Sequence, residues 1–225
     1  VTNANSLWLN NKPFKKDLEI ALNRKVKLMN DANCFTLSEA IDGSGKHYKI
    51  VFGIILGSGV GGGLVIDKKI VSGPHGITGE WGHNQLPMIG KETIVKKNNL
   101  RDGEIESSIS GLSLSKQFKK VYKKNLKAHE IFELYRKHDL DAERLVEEFK
   151  DNLSMAIASV VNILDPDVFI FGGGLSNEID FFNEIQSKVR KFVAGNEFEG
   201  IFLKPKFGDA SGVRGAARLG RNINY

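Results

Sequence analysis

The chain is poor in cysteine, in proline, in long apolar runs and in charge of one sign. Its single cysteine, Cys34, excludes a disulfide framework and any zinc site built from several thiolates of this chain. It also fits a reducing compartment, so the cytoplasm is the expected location. Only 5 prolines, with no repeat period and no low-complexity stretch, leave no obvious linker. The longest apolar run, Ile50–Leu56, is interrupted by Gly53 and is far too short to cross a bilayer. No membrane partner is expected. The first residues lack the basic and apolar regions of a signal peptide, so export is unsupported. Lys and Arg number 32 against 27 Asp and Glu, a net +5 spread along the chain, which does not require a polyanionic partner. What is present, 225 residues of which 41% are hydrophobic, supports one large core or two small ones sharing a cleft.

Glycine is the exception to this scarcity: the 24 glycines cluster at 57–63, 73–82, 172–174 and 208–220. Such clusters mark backbone that turns sharply or approaches another group closely. Between them the spacing predicts helices over 16–22, 34–41, 112–127, 128–137, 142–164 and about 178–193, with Asn or Asp capping the second. Alternation at 24–29 predicts a strand, and β-branched content makes 50–56 and 167–171 buried strands. Residues 64–66 and 70–72 read as a hairpin around Asp67, Lys68 and Lys69. The Gly- and Ala-rich segment 213–220 suits a helix packed tightly on a sheet.

The stretch Gly57-Ser58-Gly59-Val60-Gly61-Gly62-Gly63 has the glycine spacing of a dinucleotide-binding turn. The residues that follow read as strand rather than helix, which argues against that motif, and no Lys-Ser or Lys-Thr follows as a P-loop needs. A glycine-rich hairpin able to cradle phosphate oxygens, or an ordinary turn, remains. Gly172, Gly173 and Gly174 follow a buried strand and precede a predicted helix, where α/β proteins hold ligands. Asn30-Asp31-Ala32-Asn33 places three polar groups at the end of an apolar segment. Helix capping explains one of them. A carboxylate there that faced a substrate hydroxyl would accept its proton during phosphoryl transfer. Gly79-Glu80-Trp81-Gly82-His83 sets a carboxylate and an imidazole in a glycine-flanked loop, where both can meet hydroxyls. Taken alone, His83 is as well explained as a structural histidine and Glu106 as a surface or helix-start carboxylate. Lysines 116, 119, 120, 123, 124 and 127 have no interleaved aromatics and read as a solvated face, with no nucleic acid expected.

Together the blocks at 3–10, 30–34, 79–84, 160–168 and 208–217 resemble the ROK family of repressors, open reading frames and sugar kinases. Within it the chain looks similar to the bacterial fructokinase and mannokinase branch. The resemblance implies an α/β, actin-like (ribonuclease H-like) ATPase fold with two domains around a cleft that binds ATP, Mg²⁺ and a hexose. It implies Asp31 as catalytic base, and Asn30, Asp31, Glu80, His83 and Glu106 as sugar-binding residues. It implies Gly57, Ser58, Gly59 and Gly61 at the ATP phosphates, and Gly172, Gly173 and Gly174 at the adenosine. Residues 1–48 then form the remnant of a small domain, with helix 213–225 packing on it, and 49–212 form the large domain. The expected reaction is phosphate transfer to the 6-hydroxyl of fructose, with mannose as second substrate. The alternatives are an N-acetylglucosamine kinase, which shares the 30–34 block, and a non-catalytic sugar-binding or regulatory relative. Homodimers are common among similar proteins.

Two departures from the family pattern bear on these expectations. The family's zinc is held by the motif histidine and three cysteines, whose positions here carry Lys97, Asn99 and Glu104. An ammonium and an amide do not replace thiolates, so zinc is expected to be absent, the loop 91–104 less ordered, and the aim of His83 and Glu106 less firm. The family's opening Asp-x-Gly-Gly-Thr phosphate hairpin is not found from Val1 onward. A fragment with impaired activity is therefore expected, the small domain being truncated at its amino terminus.

Overall fold

The computed structural model describes residues 7–86, 104–195 and 197–220. Its centre is a five-stranded mixed sheet in the order β3-β2-β1-β4-β5. The strands are β1 (Ile50–Leu56), β2 (Val60–Ile66), β3 (Lys69–Ile70), β4 (Val168–Gly172) and β5 (Ile201–Leu203). β1 runs antiparallel to β2, with Leu56 opposite Val60, and parallel to β4, with Ile55 opposite Gly172. Both central strands are covered on two faces, which explains their nearly continuous apolar sequence. Along β4, Val168 and Ile170 enter one core while Phe169 and Phe171 enter the other, the two-residue period of a pleated strand.

The helices are α1 (Phe14–Leu22), α2 (Asp31–Asp42), α3 (Ile105–Ile109), α4 (Gly111–Tyr122), α5 (Ala128–Arg136), α6 (Leu140–Leu164), α7 (Phe182–Val189) and α8 (Ser211–Leu219). Helices α3 to α7 bury their apolar faces with Phe52, Ile54, Phe169 and Phe171. There the ammonium of Lys150 is buried and donates to the Tyr135 hydroxyl at 2.8 Å and to Glu147 and Glu184 at 2.7 Å, joining α5, α6 and α7. Burial pulls its pKa down, but these hydrogen bonds outweigh burial and hold it above the ordinary lysine value.

Helix α2 covers the opposite face with Phe35, Leu37 and Ala40, and α8 lies outside it. Helix α8 therefore packs on a helix rather than directly on the sheet as its composition suggested. The contact is close because residue 215 is glycine: a Cβ there would fall 2.8 Å from Cα of Cys34 and closer still to its carbonyl. Fully buried Glu39 ties α2 to the start of α8. Its carboxylate accepts from Ser44 N at 2.9 Å, Lys206 N at 3.0 Å, Phe207 N at 3.2 Å and the Ser211 hydroxyl at 2.7 Å, donors that stand in for water. Helix α2, before the expected division at 48/49, packs on strands β1 and β2, which follow it.

Three further expectations are corrected. Residues 24–29 form no strand; they are largely exposed, and no described strand lies beside them to complete a hydrogen-bonded ladder. The glycine triplet leads not into a long helix but into a 3-10 turn, Gly174–Glu178, with α7 starting only at Phe182. Gly173, at φ +85°, accepts from both the amide and the hydroxyl of Ser176, which closes that turn. The expected helix at 112–127 stops at Tyr122, where Lys123 turns left-handed.

Adding one methyl group at the α2–α8 crossing should separate the helices. Gly215→Ala is expected to cost about 1–3 kcal/mol, measured by urea denaturation; an unchanged midpoint would show that the crossing is looser than described.

Candidate functional site

Asn30 is the N-cap of α2, and its side-chain oxygen accepts from Ala32 N at 2.8 Å and Asn33 N at 3.3 Å. This satisfies two of the helix's free amides. The other half of the same amide group donates to Glu80 Oε1 at 3.3 Å, so the start of α2 is joined to a loop 50 residues on. Asp31 opens the helix, exposed, with Oδ1 accepting from Ala32 N at 2.9 Å. Its negative charge is felt by Cys34, whose thiol pKa is pushed up first by burial and second by Asp31.

The loop carrying Glu80 is seated on β2. Trp81 Nε1 donates to Gly61 O at 2.9 Å, and its buried ring meets Phe52 edge-on at 5.9 Å. Gly79, at φ +91°, lies where any side chain would collide with the backbone of Gly62. Trp81 thus anchors a 3-10 turn, Trp81–His83, that holds Glu80 and His83 outward with 3.8 Å between carboxylate and imidazole. Glu106, near the start of α3, reaches the hairpin: its Oε2 accepts from Val60 N at 2.8 Å. The amide of Gly111, the first residue of α4, donates to Gly57 O at 2.8 Å, and Gly57 N to Gly59 O at 3.0 Å.

These links put the candidate residues at one end of the sheet. The β1–β2 turn holds Gly57, exposed Ser58 and Gly59; Gly61 lies inside β2, its carbonyl taken by Trp81. Gly172 is the buried last residue of β4, opposite Ile55. Gly173 lies directly beside Leu56, the last residue of β1, and Gly174 has open space around its α-carbon. The amino end of α2 arrives at the same edge, with the Cβ of Ala32 facing Gly61 and the Phe35 ring against Gly172. Sequence reasoning missed the Asn30–Glu80 link, the Trp81 anchor and the docking of Gly111 on Gly57. A capping pattern names Asn30 but says nothing of its second partner.

The resemblance assigns four positions to zinc ligands, three of them cysteines in the family. Of the four positions, His83 and Glu104 lie in the described residues, and His83 Nδ1 faces Glu104 Oε2 at 3.5 Å as a histidine–carboxylate pair. Lys97 and Asn99 lie outside the described residues, as does all of the 91–104 loop except Glu104. The six lysines of the basic run are exposed, Lys124 pairing with Asp141 at 3.2 Å. No described helix is long and apolar enough to cross a membrane.

A family model, described as ROK family, matches residues 1–223. The N-acetyl-D-glucosamine kinase of Salmonella newport (strain SL254) is 37% identical over 214 residues, 92% of this chain and 71% of that protein. Among solved structures, the ROK hexokinase from Thermus thermophilus superposes with TM-score 0.80 at 26% identity, covering 93% of this chain and 69% of that one. A ROK family glucokinase from Streptomyces griseus, in complex with glucose and AMPPNP, gives TM-score 0.79 at 26% identity, covering 95% and 74%. The architecture is the actin-like ATPase fold of these neighbours.

The two roles of Asn30 separate under mutation. Asn30→Ala should cost about 1–2 kcal/mol in denaturation, chiefly the lost cap. Asn30→Asp keeps the cap but sets an oxygen against Glu80, so its smaller loss should be relieved by adding Glu80→Gln. No relief in the double variant would break the link between the two residues.

Proposed function

The chain belongs to the ROK family, and on that premise we propose that it transfers a phosphoryl group from MgATP to a hydroxyl of N-acetylglucosamine. It is a sugar kinase of ROK type. The acceptor put first by the sequence reading, fructose, is less well supported than the amino sugar. The kinase from Salmonella, named for N-acetyl-D-glucosamine, shares 37% identity over 214 residues. The 30–34 block is common to both readings and does not separate them.

The observation that carries the proposal is the shared edge of the sheet. An exposed carboxylate, Asp31, stands at the start of α2 beside a second carboxylate, Glu80, held by Asn30. The turns at 57–59 and 172–174 open at the ends of neighbouring strands. In this reading Asp31 accepts the proton of the attacking hydroxyl as the phosphoryl group leaves MgATP. Glu80, Asn30 and His83 orient sugar hydroxyls, and the amino end of α2 favours negative charge close by. Glu106, a sugar contact by the family resemblance, also accepts from Val60 N and so ties the sugar side to the 57–59 hairpin, which in this reading holds the phosphates. Gly174, with open space beside it, leaves room for the adenosine. Phosphoryl transfer needs positioning and charge stabilisation more than covalent participation, and these groups supply the sugar side of that work.

The test is ADP release by the purified protein, supplied with MgATP and either N-acetylglucosamine, glucose, mannose or fructose. N-acetylglucosamine should give the highest kcat/KM, by about tenfold or more over fructose, the equivalent of about 1.4 kcal/mol. A preference for fructose would restore the first reading. Sugar binding by calorimetry without ADP release would favour a non-catalytic relative. Asp31→Asn should lower kcat by about 10²–10⁴ while sugar affinity changes little; unchanged turnover would remove Asp31 from the mechanism.

A further inference from the structure

Lys68 sits where a lysine is poorly suited. It is the second residue of the Asp67-Lys68 turn between β2 and β3, and the pair have φ values of +50° and +63°. Tight hairpin turns of this left-handed kind favour asparagine and glycine. The side chain is nonetheless held firmly, because its Nζ donates to the carbonyl oxygens of Lys46 at 2.6 Å, Ala40 at 2.7 Å, Tyr48 at 3.2 Å and Gly45 at 3.4 Å. An ammonium carries three protons, so four acceptors around it surround the charge rather than match its N–H directions.

The bowl is made by backbone alone. Ala40 lies in the last turn of α2, where carbonyls lose their helical partners. The amide of Ser44, four residues on and the usual partner of that carbonyl, is diverted to Glu39 Oε2 at 2.9 Å. Successive turns, Lys46 N to Gly43 O and Tyr48 N to Gly45 O, fold residues 43–48 so that the carbonyls of Lys46 and Tyr48 converge with that of Gly45, which Tyr48 N and Lys68 share. The carboxyl end of α2 adds partial negative charge. Lys68 pairs with no carboxylate among the described residues. Lys68 as a residue is exposed, and the partial burial of its ammonium among these carbonyls lowers its pKa. A neutral ring of carbonyls replaces the water of a singly charged ion, as in potassium filters, whereas a divalent ion calls for anionic oxygens.

We propose that the carbonyls of Ala40, Gly45, Lys46 and Tyr48 form a monovalent-cation site that the chain fills with its own Lys68 ammonium, and that free ammonium or potassium ion binds there once that side chain is removed. The tethered charge pins the carboxyl end of α2 to the hairpin. The opposite end of the same helix carries Asn30 and Asp31.

The experiment compares thermal midpoints of the full chain, Lys68→Ala and Lys68→Gly in ammonium, potassium, sodium and choline chloride at one fixed ionic strength. Glycine suits φ +63°, so Lys68→Gly relieves the turn while removing the ammonium, and it keeps the test open if the alanine variant fails to fold. In choline, Lys68→Ala should melt about 3–6 °C below the parent. In both variants ammonium and potassium should raise the midpoint saturably, by at least half of that deficit, with sodium weaker and choline inert. The parent should not distinguish the four salts. If ammonium and potassium act like choline on the folded variants, or if the parent responds as strongly as they do, the proposal is overturned.

Discussion

Helix α2 lies against the sheet at a separation that only glycine allows, and the position of every candidate site residue depends on that approach. A Cβ at Gly63 would stand 2.6 Å from the carbonyl oxygen of Ala32, and one at Gly53 would run into the Thr36 hydroxyl. These two glycines face each other across the β1–β2 ladder, so they open a groove in the sheet into which α2 settles. Close packing makes the seat rigid, because interiors of this density do not deform continuously. The helix then delivers its first residues to the end of the sheet where β1 and β4 both finish.

Each end of α2 is held differently, and the difference follows from helix electrostatics. At the amino end the free amides are met by the side chain of Asn30, and the acidic Asp31 stands where the macrodipole favours negative charge. At the carboxyl end, Glu39 is surrounded by neutral donors and Lys68 by neutral acceptors. Asp42 adds ion pairs to Arg214, at 2.9 Å, and to Arg218 of α8. Side-chain links to neighbouring elements are thus more numerous at the end away from the candidate site, while at the other end Asp31 stays exposed. Uneven anchoring of this kind is usual where a surface must bind.

The glycines of 57–63 turned out to serve two purposes that their spacing did not separate. Gly57 and Gly59 belong to the turn, where Gly57 N donates to Gly59 O and Gly57 O accepts from Gly111 N. Gly61, Gly62 and Gly63 belong to β2, where their lack of side chains admits Trp81 on one side and Ala32 and Thr36 on the other. A glycine run therefore signals closeness of approach, and what approaches can be the protein itself as readily as a phosphate.

What the amino acids determined by themselves was local. The continuous, β-branched apolar runs of β1 and β4, the helical spacing of α5 and α6, the Asp67-Lys68 turn and the cap at the start of α2 were all legible, since each rests on neighbours a few residues apart. The blocks that mark the family were legible for the same reason, being short and contiguous. Tertiary structure alone decided that the amide of Asn30 meets Glu80, that Glu106 holds Val60 N, that α8 packs on α2, and that 24–29 lacks a strand partner. Those outcomes depend on strand register and on how near two backbones come. Both are set by the whole packed sheet and its glycines, and a stretch of sequence carries no record of which distant residue it will face.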